Sequence, residues 1–219
     1  MKNCLLFSAL FCLSTSVLAS SLSVSVVDKE GKPVPDAVVV VLPANKSVLP
    51  ALPMSAQATI VQEKMQFVPN VTLVPIGAKL GFLNNDPWDH HVRSSPAGMG
   101  QFNATQAGFE LRLEGKSATK PAKLVEVTLD KAGAQSATLI GCFIHGSMRG
   151  YVYTSESPWA AKTNAEGLAI FDGLPAGAAQ VKVWQADQLI DLPVQSLTLT
   201  ASPAKLGVQL NVVPRRRRV

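Results

Sequence analysis

Short runs of apolar residues alternate with polar ones along most of the chain, and turn-forming residues separate the runs. "SLSVSVV", "KPVPDAVVVVLP", "VTLVPIG", "AKLGFLNND", "LVEVTLDKAG", "AQSATLIG", "RGYVYTS" and "GLAIFDGLPAG" all show this texture. A two-residue period with many valines predicts half-buried strands, and strands recurring at this spacing predict a β-sandwich or barrel. Helical periodicity over ten or more residues is absent, so the expected fold class is all-β. Two breaks interrupt the pattern. The proline-rich "VLPALPMS" (48–55) reads as a linker, and a second break falls at "ESPWAAKT", around Ser157 to Thr163.

The N-terminus departs from this texture. Lys2, the apolar run Cys4 to Leu13 and "SVLAS" have the order of a secretory signal with cleavage after Ala19. An uncleaved anchor is the alternative. No later apolar run approaches the roughly 20 residues of a membrane helix, so the expected location is periplasmic or otherwise secreted. Removing 1–19 takes away Cys4 and Cys12 and leaves Cys142 as the one cysteine. A lone cysteine in an oxidising compartment is either buried and inert or held as a metal thiolate.

Charge matters only by its location. Of the 20 basic residues, Lys2 belongs to the signal and Arg215 to Arg218 end the chain; the rest equal the 15 acidic residues in number. The body is therefore neutral, without basic residues interleaved with aromatics, and nucleic acid is not an expected partner. The arginine tail is either a solvated terminus or a weak contact for an anionic surface.

The two flanks complement each other. The first carries Asp28, Gly31, Pro33 and Ala37, and the second Thr163, Gly167, Phe171, Leu174, Pro175 and Gly177. In that order they resemble the carboxypeptidase-regulatory-like β-sandwich family. Ala178 and Ala179 stand where the family often has an aromatic. The resemblance implies one small sandwich whose sequence is interrupted by the segment between the flanks and resumes after it.

The interrupting segment contains every histidine and the remaining cysteine. "CFIHGSMRGYVY" places a thiol, an imidazole and a thioether at Cys142, His145 and Met148, between two predicted strands. Soft sulphur ligands select copper or zinc over magnesium or calcium, and a His₂Cys set with a weak axial methionine is the blue-copper arrangement. His90 or His91 would supply the second imidazole; adjacent strand residues point to opposite faces, so one of them coordinates and not both. Each residue also has an ordinary reading: Cys142 and Met148 as core, His145 as a surface histidine.

"NNDPWDHHV" resembles the first-histidine motif of the cupredoxin family, with Asn84 and Asn85 on its asparagine pair and Val92 on its valine. That alignment puts His90 on the ligand position. "MQFVPNVTLVPIGAKLGFLNND" resembles the strands that precede this motif, and "CFIHGSMRGYV" has the amicyanin-type loop spacing. The doublet "HHV" and the wrapped arrangement bring the mature chain nearest to the methylamine-utilisation or plastocyanin-like proteins. The resemblance implies a Greek-key β-sandwich and one copper ion, cycling between Cu(I) and Cu(II), held by His90, Cys142, His145 and Met148. His91 and Phe143 occupy positions where many cupredoxins pair an asparagine with a hydroxyl residue, a pair these two side chains cannot make.

The organisation expected is therefore a signal over 1–19, the first part of the flanking sandwich over 20–55, a cupredoxin copper domain over 56–156, the second part of the sandwich over 157–213 and a basic tail over 214–219. Three histidines and one cysteine are too few for multicopper or dinuclear centres, so catalysis by this chain is not expected. The expected function is shuttling of single electrons between redox partner proteins; the cupredoxin resemblance implies that electrons enter or leave by the edge of His145, and Phe143, Ile144 and Met99 are candidates for an apolar docking rim. A copper carrier or store is the alternative.

Overall fold

The computed structural model describes residues 19–46, 54–98, 108–129 and 137–215. The expected signal up to Leu18, the expected linker from Val48 to Pro53, Met99 and the arginines from 216 onward lie outside these residues. The described chain forms sixteen strands, and none of its structure is a helix long and apolar enough to cross a membrane.

The first two strands are β1 (Ala19–Val27) and β2 (Val38–Pro43). The middle of the chain supplies β3 (Gln57–Glu63), β4 (Gln66–Val68), β5 (Val71–Pro75), β6 (Lys79–Asn84), β7 (His90–Pro96) and β8 (Glu110–Leu113). It continues with β9 (Val125–Thr128), β10 (Ala137–Cys142) and β11 (Arg149–Ser155). The last strands are β12 (Ala160–Lys162), β13 (Leu168–Pro175), β14 (Gly177–Trp184), β15 (Gln195–Leu199) and β16 (Ala204–Gln209).

Strands β3 to β11 make two sheets, ordered β4-β3-β6-β9 and β5-β11-β10-β7-β8. Their inward side chains follow the two-residue period: Leu80 and Phe82 on β6, Ile140 on β10 and Val152 on β11 meet Ile60, Phe67 and Val92 in one core. Each such side chain contributes about 1.5–3 kcal/mol when fully buried. Gly150 is required by this packing, because a Cβ there would lie 2.9 Å from that of Phe67.

The flanking strands make two more sheets, ordered β13-β1-β16 and β12-β2-β14-β15. Leu22, Val24, Val26, Val39, Val41, Phe171, Leu174 and Val181 fill the space between them. The turn signals there act as their chemistry dictates. The Asp28 carboxylate accepts the N–H groups of Glu30 and Lys32 at 2.8 and 2.9 Å, and the Asn164 side-chain oxygen accepts those of Glu166 and Leu168. Gly167 has φ +73°, and a Cβ on it would sit 2.5 Å from the Val26 carbonyl oxygen, which excludes any larger residue.

The second expected break is not simply a break. Residues 160–162 form β12, which pairs with Val38 to Val40, and Trp159 is buried in the outer core. The strand is only three residues long and carries no alternation, so the turn-forming residues around it hide it.

The two sandwiches also share a core. Val38, Val40 and Trp184 on one sheet pack with Val71, Ala137 and Tyr153 on the other and with Ala97, just past the end of β7. Strand β2 is buried on both faces, which accounts for its unbroken valine run. The Trp184 ring lies 5.6 Å from that of Tyr151 and 5.5 Å from that of Tyr153.

Candidate metal centre

One end of the inner sandwich brings His90, Cys142 and His145 together. Strand β10 delivers Cys142, and β11 begins at Arg149. Between them the chain folds back tightly: Met148 donates its backbone N–H to the His145 carbonyl at 2.9 Å, and Cys142 donates to the Met148 carbonyl at 3.1 Å. The "CFIHGSM" spacing thereby becomes spatial proximity. Cys142 and Met148 are buried in the inner core, while His145 is half-buried.

The second histidine comes from β7, which pairs with β10 so that Val92 stands opposite Cys142. His90 is the first residue of β7, and its ring is enclosed. Its Nδ1 lies 3.6 Å from Cys142 Sγ and 3.2 Å from His145 Nδ1; Cys142 Sγ and His145 Nδ1 are 3.5 Å apart. His90, Cys142 and His145 are the metal-binding type of cluster found among the described residues, their ligand atoms all within 4.8 Å of one another. His91 faces the other way, its Nε2 bonded to the Glu110 carboxylate and its ring against Phe143.

The other nitrogen of the His90 ring faces a carboxylate. His90 Nε2 lies 2.8 Å from Asp86 Oδ2. Burial by itself would raise the pKa of the Asp86 carboxyl, but N–H groups from Met65, His90 and Lys64 outweigh that effect and hold it below its ordinary value. An ionised carboxylate only accepts, so this contact calls for a proton on His90 Nε2, while Nδ1 faces Cys142 and His145. Asn84 shapes the turn that brings Asp86 into place: its Oδ1 accepts the Asp86 N–H at 2.9 Å, and its Nδ2 donates to the Trp88 carbonyl at 2.8 Å.

The donor set fits a soft or borderline metal ion. Bonds of about 2.0–2.1 Å to nitrogen and about 2.3 Å to sulphur, as zinc makes, separate neighbouring ligand atoms by about 3.3–3.7 Å. The sulphur–nitrogen separations of 3.5 and 3.6 Å fall in that span, and the nitrogen–nitrogen separation of 3.2 Å lies just below it. A single bridging proton satisfies one pair of these atoms, whereas a cation satisfies all three at once.

Sequence reasoning did not single out Asp86, Glu110 or Arg93. Arg93 spreads its guanidinium over the Phe143 ring, 4.2 Å from the centroid, and bonds Glu110 at 3.0 Å. A carboxylate four residues before a candidate ligand is a signal for Asp86, but its direction toward the imidazole depends on the turn.

Among solved structures, the chain is similar to the reduced Cu(I) form of an amicyanin variant at pH 4, with 19% identity and a TM-score of 0.34. That match covers 51% of this chain and 100% of the other. An oxidised amicyanin variant matches at 16% identity and TM-score 0.35, covering 55% of this chain and 99% of its own. A purple cupredoxin from Nitrosopumilus maritimus matches at 16% identity and TM-score 0.34, covering 45% and 99%. No family model matches the chain, and no curated protein does either.

Proposed function

We propose that this chain is an exported mononuclear copper protein of the cupredoxin kind, which carries single electrons between redox partners. The observation that carries the reading is the convergence of His90 Nδ1, Cys142 Sγ and His145 Nδ1, with Asp86 on the far side of the His90 ring. Met148, enclosed in the same core, is the fourth ligand. Copper bound there supplies a one-electron couple between Cu(I) and Cu(II). The thiolate and thioether favour the reduced ion, and the two imidazoles accept the oxidised one as well. The strands on either side keep the donors in place, which lowers the rearrangement each electron requires.

Four protein donors distinguish this set from catalytic metals, which keep a position for water; the reading is of a carrier and not an enzyme. Phe143 and Ile144, 67% and 57% exposed beside the half-buried His145, form the apolar rim at which a partner docks. Residues 56–156 are the copper domain, and the flanking sandwich packs against it through the core that Val38, Val40 and Trp184 share with Val71 and Tyr153.

The test is the visible and EPR spectrum of the Cu(II)-loaded protein, beside Cys142→Ser, His90→Ala and His91→Ala. A strong thiolate-to-copper band is expected in the parent and in His91→Ala, and is lost in the other two. A colourless protein that binds only Cu(I) would favour the copper-carrier function instead. A protein that takes up neither ion overturns the copper reading.

A further inference from the structure

The Asp86 carboxylate is placed unusually for a surface-loop acid. Its side chain is 5% exposed, and among the described residues the one side chain hydrogen-bonded to it is His90. Its other partners are backbone donors: Lys64 N–H reaches Oδ1 at 2.6 Å and Met65 N–H reaches Oδ2 at 3.0 Å. Those donors belong to the two-residue turn between β3 and β4, where Glu63 pairs with Gln66. Lys64 and Met65 hold φ of 51° and 58° there, a left-handed turn that prefers asparagine and glycine. The hairpin thus presents two N–H groups to the carboxylate and sets where it stands relative to the imidazole.

We propose that Asp86 is the positioning residue of the metal centre, fixing His90 as the Nε2–H tautomer and, by its full negative charge one imidazole away from the ion, lowering the reduction potential of the site. The potential half of this inference rests on the copper reading above; the tautomer half stands on the metal-free protein. A histidine that ligates a metal gains basicity and orientation when its other nitrogen donates to a carboxylate. A buried negative charge stabilises the more positive oxidation state, so it offsets the preference of the thiolate and thioether for Cu(I). Asn84 and the hairpin keep that charge in register with the ring, and the charge reaches the site without occupying a ligand position.

Two measurements separate the halves. Nitrogen NMR of the metal-free wild-type protein reads the His90 tautomer directly: a slowly exchanging Nε2 proton is expected, and an Nδ1–H ring overturns the positioning role whether or not the protein takes up copper. Redox titration of the copper-loaded Asp86→Asn variant then reads the charge. An upward shift is expected, with the ratio of Cu(I) to Cu(II) affinity rising at least tenfold, which is about 59 mV for a one-electron couple. Ile60→Val, which loosens the same core without changing charge, is expected to leave the potential where it was. An Asp86→Asn potential equal to or below that of the wild type overturns the electrostatic role, as does an equal upward shift in Ile60→Val. Failure to bind copper at all overturns the copper reading and leaves the NMR result to decide the tautomer.

Discussion

Phe143 donates its backbone N–H to the carbonyl of His91 at 2.8 Å, and the two rings meet edge to face with centroids 5.9 Å apart. The residue after Cys142 is thereby tied to the residue after His90. A backbone bond, a ring contact and a guanidinium lying over the ring join these two positions. Edge-to-face and cation–π contacts at partly exposed sites are each worth about 0.5–1 kcal/mol. Phe143→Ala is accordingly expected to lower stability by about 1 kcal/mol, read from urea denaturation midpoints, with the backbone bond retained.

Glu110 sets an acid limit on that same cluster. The hydrogen bond from His91 comes first, and the charge of Arg93 adds to it; together they outweigh desolvation and hold the Glu110 carboxyl below its ordinary 4.5. A carboxyl lowered in the folded state contributes stability that is fully present above 4.5 and is lost as pH falls through the lowered value. Urea midpoints at neutral and strongly acid pH are expected to differ less for Glu110→Gln than for the parent. An equal difference in both proteins would show that the carboxylate is not linked to folding.

The hairpin under Asp86 carries strain that a substitution can relieve. Met65 is held at φ 58°, where a residue with a Cβ costs about 1–2 kcal/mol and glycine loses about half of that advantage to chain entropy. Met65→Gly is expected to raise stability by about 0.5–1 kcal/mol, because the side chain is partly exposed and the N–H to Asp86 remains. Thermal melting of the metal-free protein reads the gain.

Trp184 joins the two sandwiches. Removing its ring leaves a cavity against Tyr151 and Tyr153, and truncation of a buried tryptophan costs about 3–5 kcal/mol. Trp184→Ala is expected to turn a single unfolding transition into two in calorimetry, as the shared core stops coupling the halves. A single transition displaced to lower temperature would mean that the coupling runs elsewhere.

The all-β class was legible because valine alternation is a local property, and the strands of the inner sandwich fall where that alternation lies. The proximity of Cys142 and His145 was legible too, since a tight loop turns short spacing into proximity. His90 and His91 were distinguishable by residues alone only as opposite faces of one strand; the motif around Asn84 and Val92 chose between them, and the fold turns His90 inward. Asp86 was hidden because its direction comes from N–H groups of Lys64 and Met65, more than twenty residues earlier. Strand β12 was hidden for the opposite reason: three residues are too few to show a period. The two-faced burial of β2 was written in its valine run, but what covers its second face is set by strands distant in sequence.

Connectivity gives the outer sandwich a place in time. Lys162 bonds Asp36 across 126 residues of sequence, and Gln209 bonds the Asp28 carbonyl across 181. Strands β3 to β11, by contrast, pair only with one another. Closing a loop costs about 0.6 kcal/mol more for each doubling of its length, and prior folding of the insert replaces a long floppy loop by two short connections. The valine-rich β1 and β2 emerge first and find their partners last, so a chain ending soon after Ser155 would hold a finished insert beside two strands with open edges, the kind of edge from which aggregation starts.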